Sequence, residues 1–239
     1  NINFEKSLSK DFGSLNIGVI KNIEKLGINE DVINAYETSK TVLTGLGHKL
    51  IEVDFSELSS GICSYYVIAP AECSSNLSRF DGVKYGYRSE GEKDIANLYM
   101  NTRSDGFGDE VKKRILIGTH VLSAGFYDAY YLQAQKVRRM IKVKFESFFK
   151  DVDLIFMPTT LDQAFEKNRK SDDPNRMYKE DLLTIPANLA GLPAISFPNG
   201  FKNNLPIGGQ LIGKYFGEDL LLNTTHKIQE VTDWHKMTP

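Results

Sequence analysis

Leu15-Asn-Ile-Gly-Val-Ile20, then Asn29-Glu-Asp31, then His48-Lys-Leu-Ile-Glu-Val-Asp54 are the stretches whose reading decides the fold class of this chain. The first is a short apolar run suited to a buried strand. Asn29 begins a helix with acids in its first turn, where the positive end of the helix dipole favours them. Val32, Ile33, Tyr36, Val42, Leu43 and Leu46 supply the apolar positions of that helix, and Gly45 and Gly47 end it. From His48 to Asp54 the residues alternate as in a second strand. A strand, a helix and a strand in succession predict an α/β protein.

Further along, Gly61 to Leu77 is apolar and rich in small side chains, which predicts a buried helix interrupted at Pro70. Residues 79–108 are polar and glycine-rich, a long excursion of the kind that is often functional or mobile. Helical texture returns from Glu110 through Phe149, and Asp153-Leu-Ile-Phe-Met157 is a strand stopped by Pro158. Asp181 opens a short helix that ends at Gly191 and holds Pro186 within its pattern. Two more strands are expected at Ala194–Phe197 and Ile207–Ile212, and a final helix from Glu218 toward Trp234. No internal repeat, low-complexity tract or linker interrupts this series. Residues 1–239 are therefore read as part of one domain, without an internal boundary.

The composition is that of an ordinary globular chain: 239 residues, 41% hydrophobic, 25% charged, with a formal net charge of −2. Near-neutrality argues against a protein that coats nucleic acid, which needs a net basic face. Cys63 and Cys73, with no second pair, suit neither a zinc knuckle nor a disulfide framework, and reduced thiols of a cytoplasmic protein are expected. No apolar run reaches the length of a membrane span and no signal peptide opens the chain, so no membrane role is predicted.

Searches for catalytic motifs return little. There is no phosphate-binding glycine loop and no Gly-x-Ser-x-Gly elbow. His48, His120, His226 and His235 are scattered without metal-ligand spacing, so no metal site is predicted. Ser7 with Lys10 and Ser147 with Lys150 match Ser-x-x-Lys, a pairing in which a desolvated lysine can activate a serine, but the match is short enough to arise by chance. Lys136 to Lys144 can be a basic face for RNA phosphates. Equally it can be an amphipathic helix with solvated cations and Val137, Met140, Ile141 and Phe145 turned to the core. Asn76 and Asn223 open glycosylation sequons that carry no meaning without a secretory signal.

Longer blocks carry a resemblance. Tyr65-Tyr-Val-Ile-Ala-Pro-Ala-Glu-Cys-Ser-Ser-Asn-Leu-Ser-Arg-Phe-Asp-Gly-Val-Lys-Tyr-Gly-Tyr-Arg88, Phe107-Gly-Asp-Glu-Val-Lys-Lys-Arg-Ile-Leu-Ile-Gly-Thr119 and Leu122-Ser-Ala-Gly-Phe-Tyr-Asp-Ala-Tyr-Tyr131 are three of them. Asn188-Leu-Ala-Gly-Leu-Pro-Ala-Ile-Ser-Phe-Pro198 and Leu205-Pro-Ile-Gly-Gly-Gln-Leu-Ile-Gly213 complete the set. Together they resemble the amidase-signature family over essentially the whole chain. The Arg-Phe-Asp-Gly block narrows the resemblance to the glutaminase subunits of tRNA-dependent amidotransferases, in their C-terminal half. Gly209 departs from that pattern, where a bulkier apolar residue usually stands, and is expected to loosen a strand.

The resemblance implies the amidase-signature fold, with a mixed central sheet covered by helices on both faces. It also implies a glutaminase that splits glutamine at a Ser-Ser-Lys triad and sends ammonia to a partner, which amidates Glu-tRNA(Gln) as a ligase of translation. That triad belongs to a Gly/Ser-rich segment upstream of the blocks quoted, so no catalytic residue is expected in this sequence, and alone it should not hydrolyse glutamine. The resemblance further implies that Arg114 holds the α-carboxylate of glutamine, Asp181 its α-ammonium, and that Tyr65 lines the same pocket. A zwitterion does need a planar bidentate cation at one end and an acceptor at the other. Arg114, Gly118, Val121 and Gly125 also share one helix stripe, where a ligand could approach the backbone. From the residues alone, Arg114 could be a solvated charge, Asp181 a helix cap and Tyr65 a core residue. The implied partners are the B and C subunits of a heterotrimer, with charged tRNA met mainly through the partner. No cofactor is expected in this chain, ATP and magnesium belonging to the partner. Rival readings are another amidase-signature hydrolase, a non-catalytic docking fragment, and an RNA-binding protein.

Overall fold

The computed structural model describes residues 3–91, 94–165 and 179–238. The chain divides into two compact units, Asn1–Ile62 with Arg139–Pro239, and Cys63–Arg138. In the first unit lie strands β1 (Asn16–Ile20), β2 (Lys49–Val53), β3 (Leu154–Pro158), β4 (Ala194–Lys202) and β5 (Leu205–Gly213). Their order is β2-β1-β3-β5-β4. β1 runs parallel to β2 and to β3, whereas β5 is antiparallel to β3 and to β4, so the sheet is mixed. The parallel pair β1–β2 is connected by α2 (Glu30–Gly45), as a parallel crossover requires. β4 and β5 run longer than the sequence suggests, because Asn203 and Asn204, both at positive φ (52° and 61°), close a tight two-residue hairpin between them.

α2 starts where its cap predicts, with the Asn29 side chain accepting the Asp31 N–H at 2.8 Å. It lies on one face of the sheet beside α8 (Glu218–Val231). Tyr36 of α2 has no exposed surface, stacks on Phe156 at 5.1 Å, and accepts the Ile20 N–H through its hydroxyl at 2.8 Å. Burial raises the Tyr36 phenol well above its ordinary pKa, so the hydroxyl stays neutral. On the opposite face Met157 stands in register with Gln210. Gln210 is buried there, and its amide donates to the Pro158 carbonyl at 3.1 Å and the Leu183 carbonyl at 3.0 Å. Those bonds bring α7 (Ile185–Ala190) onto this face, where Ile185 and Ile141 of α6 (Leu132–Phe148) close around Gly61. Helices therefore cover both faces. Gly209 does not loosen β5: a Cβ there would come within 3.0 Å of Phe156 and 3.1 Å of Asn199, so the neighbours fill the space.

The second unit is helical, holding most of α3 (Gly61–Leu77) with α4 (Ile95–Gly106) and α5 (Asp109–Val121). α3 runs through Pro70 without interruption. Proline removes one helical bond, but the turns before and after it still provide theirs. The polar excursion after α3 contains α4, capped by Asp94 accepting the Asn97 N–H at 3.1 Å. Arg103 of α4 donates to the Leu77 and Phe80 carbonyls at 2.9 and 3.0 Å, and Thr102 accepts the Ser89 N–H at 3.0 Å. Gly82, at φ +78°, lies where a side chain would strike Thr102. This explains the Asp81-Gly82 pair of the Arg-Phe-Asp-Gly block, in which Asp81 accepts the Val83 N–H at 2.8 Å to shape the turn. The helical stretch read from Glu110 to Phe149 is divided: α5 ends at Val121, Gly125 takes φ +87°, and a wide turn of helix at Tyr127–Tyr131 precedes α6.

Candidate functional site

Arg114 is on α5, four residues after Glu110, a spacing that puts both side chains on one helix face. Its Nε donates to Glu110 Oε1 at 3.1 Å, and the two side chains keep 38% and 59% of their exposure, so the guanidinium is reachable from solvent. Glu110 first, and the Tyr65 hydroxyl acting as an acceptor after it, hold the guanidinium still more firmly in its charged form. Tyr65 is half-buried on α3 and meets the Tyr66 ring edge-on at 5.0 Å. The second unit thus brings Arg114 and Tyr65 together, with Glu110 as a third member that the sequence reading did not single out. The signal was present in the spacing Glu110-x-x-x-Arg114, which reads equally well as an ordinary surface ion pair.

The crossing of α3 and α5 sets this pair's geometry. A Cβ at Gly118 would lie 1.9 Å from the Pro70 carbonyl oxygen and 2.7 Å from Ser74 Cβ, so only glycine allows the two backbones to meet. Ser74 and Thr119 share a hydroxyl–hydroxyl hydrogen bond of 2.9 Å at the same crossing. Of the stripe after Arg114, Gly118 and Val121 are therefore taken up by helix packing, whereas Gly125 lies beyond the end of α5 and is exposed. Gly118 is filled by Pro70, and Val121 is buried.

Asp181 belongs to the first unit. It does not open the helix: it sits in a turn, its carbonyl accepting the Thr184 and Ile185 N–H groups at 3.2 and 3.0 Å, and α7 starts at Ile185. Pro186 explains the shift, because a residue without an N–H and with φ preset suits the first turn of a helix. The Gln210 amide, bonded to the Leu183 carbonyl, ties this turn to β3. Gln210 is thus a second functional candidate that the sequence showed only as a member of the Pro206-Ile-Gly-Gly-Gln210 block. Tyr178, which begins the block containing Asp181, lies outside the described residues.

Other candidates resolve into structural roles. Ser7 lies in a short helix, α1 (Phe4–Leu8), and its hydroxyl donates to the Asn3 carbonyl. Ser147 donates to the Lys144 carbonyl, so neither serine faces a lysine base. Asn223, which opens a sequon, is buried, and its amide lies 2.9 Å from each of the Ser7, Leu8 and Lys10 carbonyls. On the basic helix, Lys144 pairs with Glu57 at 3.2 Å and Lys142 with Glu146 at 3.9 Å, while Ile141 and Phe145 are buried. That is the amphipathic arrangement, except that Met140 points outward. His120 packs on Phe126 at 4.1 Å and His226 lies 3.6 Å from Glu230. His48 accepts the Leu15 N–H through Nδ1 at 3.2 Å beside an open cleft of about 260 Å3 that also meets Lys10, Phe12 and Lys227. Among the described residues no group of three or more His, Cys, Asp or Glu could hold a metal ion, and no helix is long and apolar enough to cross a membrane.

Comparison with known proteins agrees with this architecture. The amidase family model matches residues 2–222. The A subunit of the glutamyl-tRNA(Gln) amidotransferase of Hahella chejuensis (strain KCTC 2396) is 52% identical over 236 residues, which cover 99% of this chain and 49% of that protein. The protein of the same name from Coxiella burnetii (strain Dugway 5J108-111) is 50% identical with the same coverage. Among solved structures, the corresponding glutamyl-tRNA(Gln) amidotransferase chain from Thermotoga maritima superposes with a TM-score of 0.72 at 35% identity, over 98% of this chain and 46% of that one. A 6-aminohexanoate cyclic dimer hydrolase, with a TM-score of 0.75 at 21% identity over 99% of this chain and 49% of its own, shares the fold alone. The chain spans about half the length of the curated relatives it matches. A mixed sheet covered on both faces, the spread of matching blocks and the reach of the family model lead to one assignment: this chain belongs to the amidase family.

Proposed function

We propose that this chain is the glutamine-binding portion of the amidase component of a tRNA-dependent amidotransferase, which hydrolyses glutamine to supply ammonia for converting Glu-tRNA(Gln) to Gln-tRNA(Gln). The observation that carries the reading is the accessible Arg114 guanidinium, oriented by Glu110 and facing the Tyr65 hydroxyl, in a chain about half identical to such proteins. In this reading Arg114 takes the α-carboxylate of glutamine in a two-point contact. Tyr65, whose oxygen lies against the guanidinium, donates its O–H to the same carboxylate. Asp181 accepts from the α-ammonium, its turn held in place by Gln210. The nucleophile of the Ser-Ser-Lys triad comes from sequence beyond these residues, so this stretch alone binds but does not hydrolyse. The chain needs no cofactor of its own; ATP and magnesium act at a partner protein. It works in the cytoplasm with the B and C subunits, and charged tRNA is met mainly through the partner.

Ammonia release from glutamine by the assembled amidotransferase tests this. Arg114→Ala removes a charge-assisted pair worth about 2–3 kcal/mol, equivalent to a rise in the glutamine KM of roughly 30- to 150-fold. An unchanged KM would return the chain to the class of hydrolases acting on small neutral amides, which need no grip on an amino-acid backbone. Ammonia release by the purified 239-residue chain alone would overturn the assignment of the nucleophile elsewhere.

A further inference from the structure

We propose that Glu110 is the positioning residue that decides which edge of the Arg114 guanidinium meets the ligand, and that it thereby selects ligands with a free α-carboxylate. The inference rests on the reading that Arg114 binds that carboxylate. A guanidinium offers five N–H donors in a flat fork, and a carboxylate can be gripped two-handed along the side edge, through Nε, or along the terminal edge. Glu110 Oε1 takes Nε at 3.1 Å from one helical turn away, so the side edge is occupied by the protein itself. Only the terminal edge remains for a bidentate ligand.

The arrangement is anchored from behind. Gly118 and Thr119 press and bond α5 onto Pro70 and Ser74 of α3, the helix that also carries Tyr65. Helix-to-helix distance is therefore held by the crossing, while Glu110 controls only the rotation of the fork. An exposed ion pair at this spacing contributes little to folding, so Glu110 can be replaced without unfolding the unit. Without it, the Nε edge is no longer held by the protein, the fork can present either edge beside Tyr65, and the two-point contact specific to a carboxylate is weakened. A neutral α-carboxamide has a single acceptor oxygen and gains nothing from the orientation.

Steady-state glutaminase kinetics of the assembled enzyme, with glutamine and with glutaminamide, test the proposal on Glu110→Ala, Glu110→Gln and Arg114→Ala. Glu110→Ala is expected to raise the glutamine KM about five- to tenfold, with the change falling on KM rather than kcat and with the glutaminamide KM unmoved. Glu110→Gln, which keeps an acceptor for Nε, is expected to recover most of the preference for glutamine. If Arg114→Ala abolishes that preference and Glu110→Ala leaves it intact, the positioning role is overturned while the carboxylate reading stands. If Arg114→Ala leaves the preference intact, the carboxylate reading falls and this inference falls with it. Equal loss of affinity for both ligands in Glu110→Ala would mark a structural defect and also overturn the proposal.

Discussion

Replacing Gly118 by alanine isolates the contact that builds the candidate site. A helix interior normally gains about 0.8–1 kcal/mol from a Gly→Ala exchange. Here the added Cβ would sit 1.9 Å from the Pro70 oxygen, against a floor near 3.0 Å for real Cβ contacts, so α3 and α5 must part by more than about 1 Å. Backbone atoms, unlike a flexible side-chain end, cannot swing aside. Overpacking of this kind costs about 1–3 kcal/mol, and the parting also stretches the Ser74–Thr119 bond, worth about 1 kcal/mol. Net destabilisation of about 1–3 kcal/mol remains after the helix gain. Urea unfolding followed by circular dichroism reads this as a lowered midpoint with an unchanged slope. The Arg114–Tyr65 approach widens with the crossing, so affinity for glutamine falls in the same variant. A Gly118→Ala protein as stable as the parent or more so, with its affinity intact, would refute the claim that this glycine serves close helix packing.

Polar groups held inside the first unit give three more tests. Tyr36→Phe leaves the Ile20 N–H without its acceptor in the core and is expected to cost about 1–3 kcal/mol, read in the same unfolding assay; a neutral outcome would mean the bond carries no weight. Gln210→Leu orphans the Pro158 and Leu183 carbonyls, and a loss of about 2 kcal/mol is expected with faster amide exchange in the 181–185 turn; unchanged exchange there would separate Gln210 from the Asp181 turn. For His48, burial holds the imidazole pKa below its ordinary 6.5, so the unfolded chain binds the proton more readily than the folded one. Stability should therefore be full above pH 6.5 and decline as pH falls from there through the folded-state pKa, where Nδ1 can no longer accept the Leu15 N–H. His48→Gln should flatten that slope in unfolding measured between neutral and mildly acidic pH, and a slope that persists would assign it to other groups.

Strand, helix and strand in the first fifty-odd residues were legible because each depends on local pattern: an apolar run, a cap, an alternation. The Asn29 cap, the places of β1 and β3, and the α/β class all followed from neighbours in sequence, although Pro158, read as the stop of β3, is its last paired residue, opposite Gly209. Errors arose where a distant residue overrides a local signal. Pro70 reads as a break, yet α3 continues through it and its carbonyl packs on Gly118. Asp181 reads as a helix start, but Pro186 moves that start to Ile185 and Gln210 holds the turn from across the sheet. Gly209 reads as a loss of packing and proves to be room for Phe156 and Asn199.

The family, the α/β class and the identities of Tyr65 and Arg114 as candidates were therefore carried by the sequence itself, because blocks of residue types persist in one dimension. What only the tertiary structure decided is that Arg114 faces Glu110 and Tyr65, that Gly118 belongs to a helix crossing rather than to a ligand path, and that Gln210 supports the Asp181 turn. Each of these is a contact between groups brought together by packing or by rotamer choice. The energy of such a contact depends on distances of a few tenths of an ångström that no one-dimensional pattern encodes.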